Sequence, residues 1–160
     1  MRSFLTAMLL LSSVPALAED ECKIDVGPND VVKKTGDIVI EAGQYVEDAI
    51  ALDGTITIKQ GAMVKSAIAF HGNVVIEDGA KVSKSALSIG GTVSAAKGSR
   101  VKNLIEISEK GLRIRGTDGE DLDLNLVIGG KSIGQRIADE ALSKMKNCKI
   151  ATAKASSKAL

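Results

Sequence analysis

Histidine occurs once in this chain of 160 residues, tryptophan is absent, and tyrosine and phenylalanine together number three. A lone histidine, His71, excludes a zinc site assembled from several imidazoles. Phe4 lies in the leader described below, which leaves Tyr45 and Phe70 as the aromatic complement. Stacking platforms for sugars or single-stranded nucleic acid need several aromatic faces, so both ligand classes are unexpected. Charge of either sign is also missing in net terms: the formal charge is +1, and loss of Arg2 takes it to zero (+1 − 1). A neutral chain lacks the basic surface that neutralises phosphates, so no nucleic-acid partner is expected. No apolar run is long enough to span a bilayer. Neither a GxGxxG nor a P-loop pattern is present, and no CxxC pair occurs.

The longest apolar run, Phe4 to Leu11, follows Arg2 and precedes Ala16-Leu17-Ala18. Residues 1–18 therefore read as a cleavable signal peptide, with the mature chain periplasmic or secreted after cleavage near Ala18. Asp20 and Glu21 precede Cys22, where a lipidated cysteine would follow small residues. Cys22 and Cys148 bracket the mature domain. In an oxidising compartment an isolated pair is most simply one disulfide. A reactive thiol pair or half of a metal site are the competing readings, and no histidine lies near either cysteine in sequence.

Between these cysteines an apolar residue recurs every six positions: Ile40, Val46, Leu52, Ile58, Val64, Phe70, Ile76, Val82, then, after a one-residue slip, Ile89, Ala95, Val101 and Ile107. Three hexads make eighteen residues, and whole motifs repeat at that spacing, as in GDIVIEAGQYVEDAIALD followed by GTITIKQGAMVKSAIAFH. Such a period predicts an all-β fold, a single parallel β-solenoid of four to five coils of about 18 residues. Ile38, Ile50, Ile56, Ile68, Val74, Leu87, Val93 and Ile105, two residues before the column, share its face within each strand. Gly43, Gly61, Gly79 and Gly98 form one corner set, and Gly54, Gly72 and Gly91 another. The slip falls in KVSKSALSIG and predicts a bulge at Ser83, Lys84 and Ser85.

After Ile107 the hexad weakens. Leu122, Leu124, Leu126 and Ile128 alternate as one more strand after a turn at Thr117 to Glu120. Ser132 with Gln135 fits a capping box, and Ile133, Ile137, Ala141, Leu142 and Met145 form an apolar stripe, predicting a helix over 133–147. The solenoid domain with this helix covers 19–150, and 151–160 are expected to be a disordered tail. In the third strand of each coil, the residues between the assumed inward ones are Ala49 and Ala51, Ala67 and Ala69, and Ala86 and Ser88. If these point outward they form a small-residue wall, a packing or interaction face. The helix, running back from the far end, would seal that wall with Leu142, Ala141, Ile137 and Ile133 and bring Cys148 to Cys22.

Candidate chemistry is sparse. His71 follows Phe70 at a coil corner and reads as an exposed corner residue. Asp118, Glu120, Asp121 and Asp123 are the densest acidic cluster, but TDGEDLD lacks the glycine and terminal glutamate of an EF-hand and reads as a solvated turn. An ice-binding face needs outward Thr-x-Thr ladders in successive coils, and only Thr55 and Thr57 fit, in a single coil. No cofactor, metal or small-molecule substrate is expected.

Two family resemblances rest on these repeats. The six-residue spacing over Ile38 to Ile107 is similar to that of the left-handed β-helix of hexapeptide acyltransferases. That resemblance implies a catalytic histidine in a cleft between trimer subunits, a role that would fall on His71. The carbonic anhydrases of that scaffold need several histidine ligands, which this chain lacks. The units GTITIKQGAMVKSAIAFHG and GNVVIEDGAKVSKSALSIGG resemble bactofilin coils over about Gly36 to Ile107, implying a structural scaffold. The chain departs from bactofilins in its export signal, cysteine pair and C-terminal helix. The expected function is an exported, non-enzymatic structural or protein-binding module of the bacterial envelope, with an envelope partner or self-association. The alternative is a hexapeptide-type transferase using His71.

Overall fold

In the computed structural model, residues 22–117, 121–125, 127–128 and 130–152 are described. Residues 1–21, 118–120, 126, 129 and 153–160 lie outside that set, and with them the expected signal peptide, Asp118, Glu120 and Leu126. The chain opens with β1 (Lys23–Val26) and β2 (Val31–Lys33), then enters the coils: β3 (Ile38–Ile40), β4 (Tyr45–Ala51), β5 (Ile56–Ile58), β6 (Met63–Phe70), β7 (Val74–Ile76), β8 (Lys81–Ile89), β9 (Val93–Ala95), β10 (Arg100–Val101) and β11 (Asn103–Ser108). It finishes with β12 (Gly111–Gly116), β13 (Asp121–Leu124), the β14 (Val127–Ile128) and β15 (Lys131–Ser132) hairpin, α1 (Ile133–Lys146) and β16 (Lys149–Thr152).

The coils form a parallel β-solenoid of about four turns of roughly 18 residues. Each strand pairs in parallel with the strand one turn later: Ile38 opposite Ile56 and Ile56 opposite Val74, or Val46 opposite Val64 and Val64 opposite Val82. Three sides can be traced through the burial pattern. The first is the sheet β3-β5-β7-β9. The long strands β4, β6 and β8 supply the other two. Val46 and Ala49 are both buried although three residues apart, so the strand turns a corner between them. The bulge falls where the slip in period predicts it: Val64 faces Val82 and Ser66 faces Ser85, which sets Ser83 and Lys84 against Lys65 alone.

Two glycine columns serve different needs. Gly43, Gly61 and Gly79 hold φ of 76°, 76° and 73°, a left-handed bend that costs other residues about 1 kcal/mol or more. Gly54, Gly72 and Gly91 answer to space instead. A Cβ on Gly72 would strike the Gly54 carbonyl, and one on Gly91 the Gly72 carbonyl.

The lumen is lined by aliphatic side chains. Ile38, Ile40, Ile56, Ile58, Val74 and Ile76 enter from the first side, and Val46, Val64 and Val82 from the second. The third side differs from expectation. Ala49, Ala51, Ala67, Ala69, Ala86 and Ser88 are fully buried and point inward, not outward as a wall. The reason is volume: large aliphatics from two sides occupy the lumen, and a close-packed interior leaves room only for methyl-sized groups from the third. The same strands send Ile50, Ile68 and Leu87 outward, with Leu52, Phe70, Ile89 and Ile107 beside them. Leu52, Phe70, Ile89 and Ile107 thus leave the inward column that the six-residue period suggests.

The helix α1 covers this larger outer face. Ala138, Ala141, Leu142 and Met145 pack on it, while Ile137 is turned to solvent. Ser132 caps the helix start, its hydroxyl accepting from the Gln135 N–H at 3.1 Å. Gly134 sits so close to the β11–β12 turn that a Cβ would strike the Ser108 carbonyl. Lys144 and Lys146 lie in the last turn, where cations favour the helix dipole. Beyond it β16 pairs in parallel with β1, Lys23 opposite Lys149 through Val26 opposite Thr152. Ala151 and Thr152, expected in a disordered tail, therefore belong to a strand, because β1 offers them backbone partners.

The last coil ends differently from the others. β11 pairs in parallel with β8, then folds back antiparallel to β12, which pairs antiparallel with β13. Where one strand was expected after Ile107, there is a meander.

Candidate functional site

Three features carry the groups singled out in the sequence: the chain-end clamp, the hollow at His71 and the charged face of the terminal meander. In the clamp, Cys22 and Cys148 form a disulfide with Cα atoms 4.5 Å apart, across a sequence separation of 126. Cys148 is fully buried. The Lys149 N–H donates to the Cys22 carbonyl at 2.9 Å, so the bridge continues directly into the β1–β16 pairing. The bond points to an oxidising, non-cytoplasmic compartment. None of the described helices is long and apolar enough to cross a membrane.

His71 stands at the corner after β6, exposed, with φ of 49°. Among the described residues it is the one non-glycine with positive φ. Its backbone N–H donates to the Ile89 carbonyl of the next coil, so the corner is fixed by coil stacking. The next coil places Gly90 beside it, where a Cβ would touch the imidazole. The ring borders a hollow of about 220 Å³ between the helix end and two corners, with Leu52, Leu142 and Met145 as apolar walls and Lys34, Asp53 and Lys146 at the rim. Among the described residues no carboxylate or hydroxyl hydrogen bond to the imidazole is found.

The acidic segment is organised by cross-strand pairing. Arg113 faces Asp123 and Arg115 faces Asp121 in register. Arg113 reaches Glu106 at 3.3 Å and Asp123 at 3.4 Å, and Arg115 reaches Asp121 at 3.2 Å. Asp121 and Asp123 thus form a charge ladder with arginines, while Asp118 and Glu120 lie outside the described residues. Glu106 has a second task. Its Oε1 accepts from the Val93 N–H at 2.7 Å, the donor that in earlier coils (Ile38, Ile56, Val74) meets the next turn's carbonyl. A carboxylate therefore closes the last rung of the first side. Among the described residues no group of three or more His, Cys, Asp and Glu is placed to hold a metal ion.

On the coil corners the charges pair across turns. The Lys59 ammonium donates to Glu77 at 2.8 Å, and the Gln60 N–H donates to the same carboxylate at 3.2 Å. The hydrogen bond from Lys59 holds the Glu77 carboxyl below its usual range, and Glu77 in turn raises Lys59. Glu140 is likewise lowered by Lys144 one helical turn on. Of the predicted groups, the structure joins Cys22 to Cys148 and sets the alanines into the core; His71 meets neither. Sequence reasoning passed over Glu106, because the alternation that set Ile105 and Ile107 inward placed it outside. Its register opposite the buried Ser88 sets it on the inner face. Leu122 and Leu124 read in sequence as strand residues, not as an exposed pair.

No protein-family model, curated protein or solved structure matches this chain.

Proposed function

We propose that this protein is an exported structural or protein-binding β-solenoid of the bacterial envelope, acting without catalysis. The observation that carries the reading is where the reactive groups are spent. Lys59 pairs with Glu77 and Lys65 with Glu47 across coils, and Glu106 closes the last rung. The two cysteines are joined in one bridge, and the lumen is lined by aliphatic side chains with the buried Ser88 among them. What remains for function is shape: a solenoid of about four turns with a helix strapped along one side. The bactofilin-like texture of the coils and the signal-like leader support the same reading. Its test is incubation of the purified mature chain with acyl-CoA donors and envelope extracts. Capture of an envelope protein without substrate turnover is expected; turnover abolished by a single outward substitution overturns it.

A second reading, a transferase using His71, is favoured by one observation: a non-glycine residue in a left-handed conformation at the lip of a hollow. His71→Gly separates the two. Glycine accepts that φ, so stability stays within about 1 kcal/mol of wild type by circular dichroism melting. Under the scaffold reading partner capture is unchanged; loss of an enzymatic turnover in the same variant favours the transferase.

A further inference from the structure

The terminal meander ends on a strand whose outer side has no strand paired to it among the described residues. β13 closes the eight-stranded order, and all four of its residues, Asp121 to Leu124, are exposed. Exposed edges are usually blunted by charged side chains, lysine above all, by proline, by a bulge or by being short. The charges that blunt this four-residue edge are acidic, which bars a like-charged strand and leaves a basic one acceptable. This one carries the plain alternation Asp-Leu-Asp-Leu. Leu122 and Leu124, 46% and 45% exposed, share one face, and Asp121 and Asp123 the other.

From the edge we infer that β13 is a docking strand for an extended segment of a partner protein whose residues alternate between aliphatic and basic. The proposal rests on the protein-binding reading above and names its site.

The inner neighbour of β13 shows the matching chemistry. β12 reads Leu-Arg-Ile-Arg and is paired antiparallel, Leu112 opposite Leu124, Arg113 opposite Asp123, Ile114 opposite Leu122 and Arg115 opposite Asp121. Aliphatic meets aliphatic on one face, and guanidinium meets carboxylate on the other. The outer side of β13 presents the same alternation to whatever lies beyond it. Each aspartate has capacity left for a second cation. Their side chains are about 60% exposed, and each makes one arginine contact at 3.2–3.4 Å. An ionised carboxylate accepts several hydrogen bonds. A strand added at a sheet edge gains main-chain hydrogen bonds for affinity and alternate side chains for selectivity. A second copy of β13 fits poorly, because any register on the same faces sets aspartate against aspartate, which is destabilising.

The test uses the full disulfide-bonded chain and two labelled peptides, one repeating Leu-Arg-Ile-Arg and one repeating Leu-Glu-Ile-Glu. Binding is read by fluorescence anisotropy, and its location by amide hydrogen exchange. The basic peptide should bind and slow exchange at Asp121–Leu124, with affinity falling as salt rises. The acidic peptide should not bind. Asp121→Asn with Asp123→Asn should weaken the basic peptide by roughly two- to thirtyfold, the range expected for two cross-strand pairs. Leu122→Ser with Leu124→Ser should weaken it comparably, and the exposure of all four positions leaves the fold intact by circular dichroism. Equal binding of both peptides, protection elsewhere, an unchanged affinity in the aspartate variant, or protection of 121–124 by self-association alone overturns the proposal. Substrate turnover would sink the scaffold reading while leaving the peptide result standing, so the two failures are distinguishable.

Discussion

The inner and outer faces of the solenoid's third side are cut from the same strands, and both are apolar, yet one is small and the other large. Inward, Ala49, Ala67 and Ala86 stack in one row and Ala51, Ala69 and Ser88 in another. Outward, Ile50, Ile68 and Leu87 stack beneath α1. The inner face is limited by the volume that the first two sides leave in the lumen. The outer face is limited by what one helix can cover. Side-chain size, with no change of polarity, separates a core from a docking surface for the chain's own helix. Ser88 shows how strict the inner limit is: it is buried, and its hydroxyl donates to the Gly72 carbonyl at 2.8 Å.

The strongest way to break the comparison is to free the outer cover. Cys22→Ser with Cys148→Ser, or reduction of the native chain, should lower stability by about 2–5 kcal/mol in denaturant titration, because the bridge closes a long loop. The lost protection should start in β16, α1 and the outer residues of β6 and β8, read by hydrogen exchange. Unchanged protection there would mean that the helix holds its face without the clamp. A paired substitution tests the two faces directly. Ala67→Leu should cost about 1–3 kcal/mol by overpacking the lumen. Ile68→Ala, one residue away on a half-buried outer position, should cost about 1–2 kcal/mol of lost burial. The Ile68 variant should leave the coils intact and loosen α1, whereas the Ala67 variant should lower the cooperative transition of the coils. Reversed behaviour would restore the outward alanine wall.

The smallest effect lies on the corners. Glu77 has a lowered carboxyl, so its share of stability is present at neutral pH and is lost as pH falls through and below the ordinary carboxylate range. Lys59 is raised, so its share is present below the ordinary lysine range and is lost as pH rises through the raised value. Both groups are substantially exposed, so the effect is small. Calorimetric melting of Lys59→Met against wild type should show a slight deficit across neutral pH that closes at strongly acid and strongly alkaline pH. A deficit that widens in acid would contradict the assigned directions.

The coils were legible because the period is imposed by stacking, and stacking repeats every identical constraint: glycine where backbones meet, aliphatics where the lumen lies. The bulge at Ser83 and Lys84, the Ser132 cap and the cysteine pair followed from the same local rules. The parity of the third side did not. Alanine, isoleucine and leucine are all apolar, so hydrophobic alternation has no contrast to read in Ala49-Ile50-Ala51-Leu52. The corner between Val46 and Ala49 then changes parity by an odd step. One signal was available: alanine or serine recurs at matching positions in three coils, a constancy of size that an unconstrained surface would not need. The return of β12 was hidden for a different reason, since alternation marks a strand but not its direction.

The clamp gives the molecule a mechanical property. β1 and β16 lie side by side and the bridge between Cys22 and Cys148 ties their entrances together. Tension applied between the segment leading into Cys22 and the one leaving Thr152 is carried by a single sulfur–sulfur bond and the short strand pair beside it. The coils hang on a closed covalent ring, outside the line of force. Pulling on the two ends therefore tests the tether and leaves the coils unstretched.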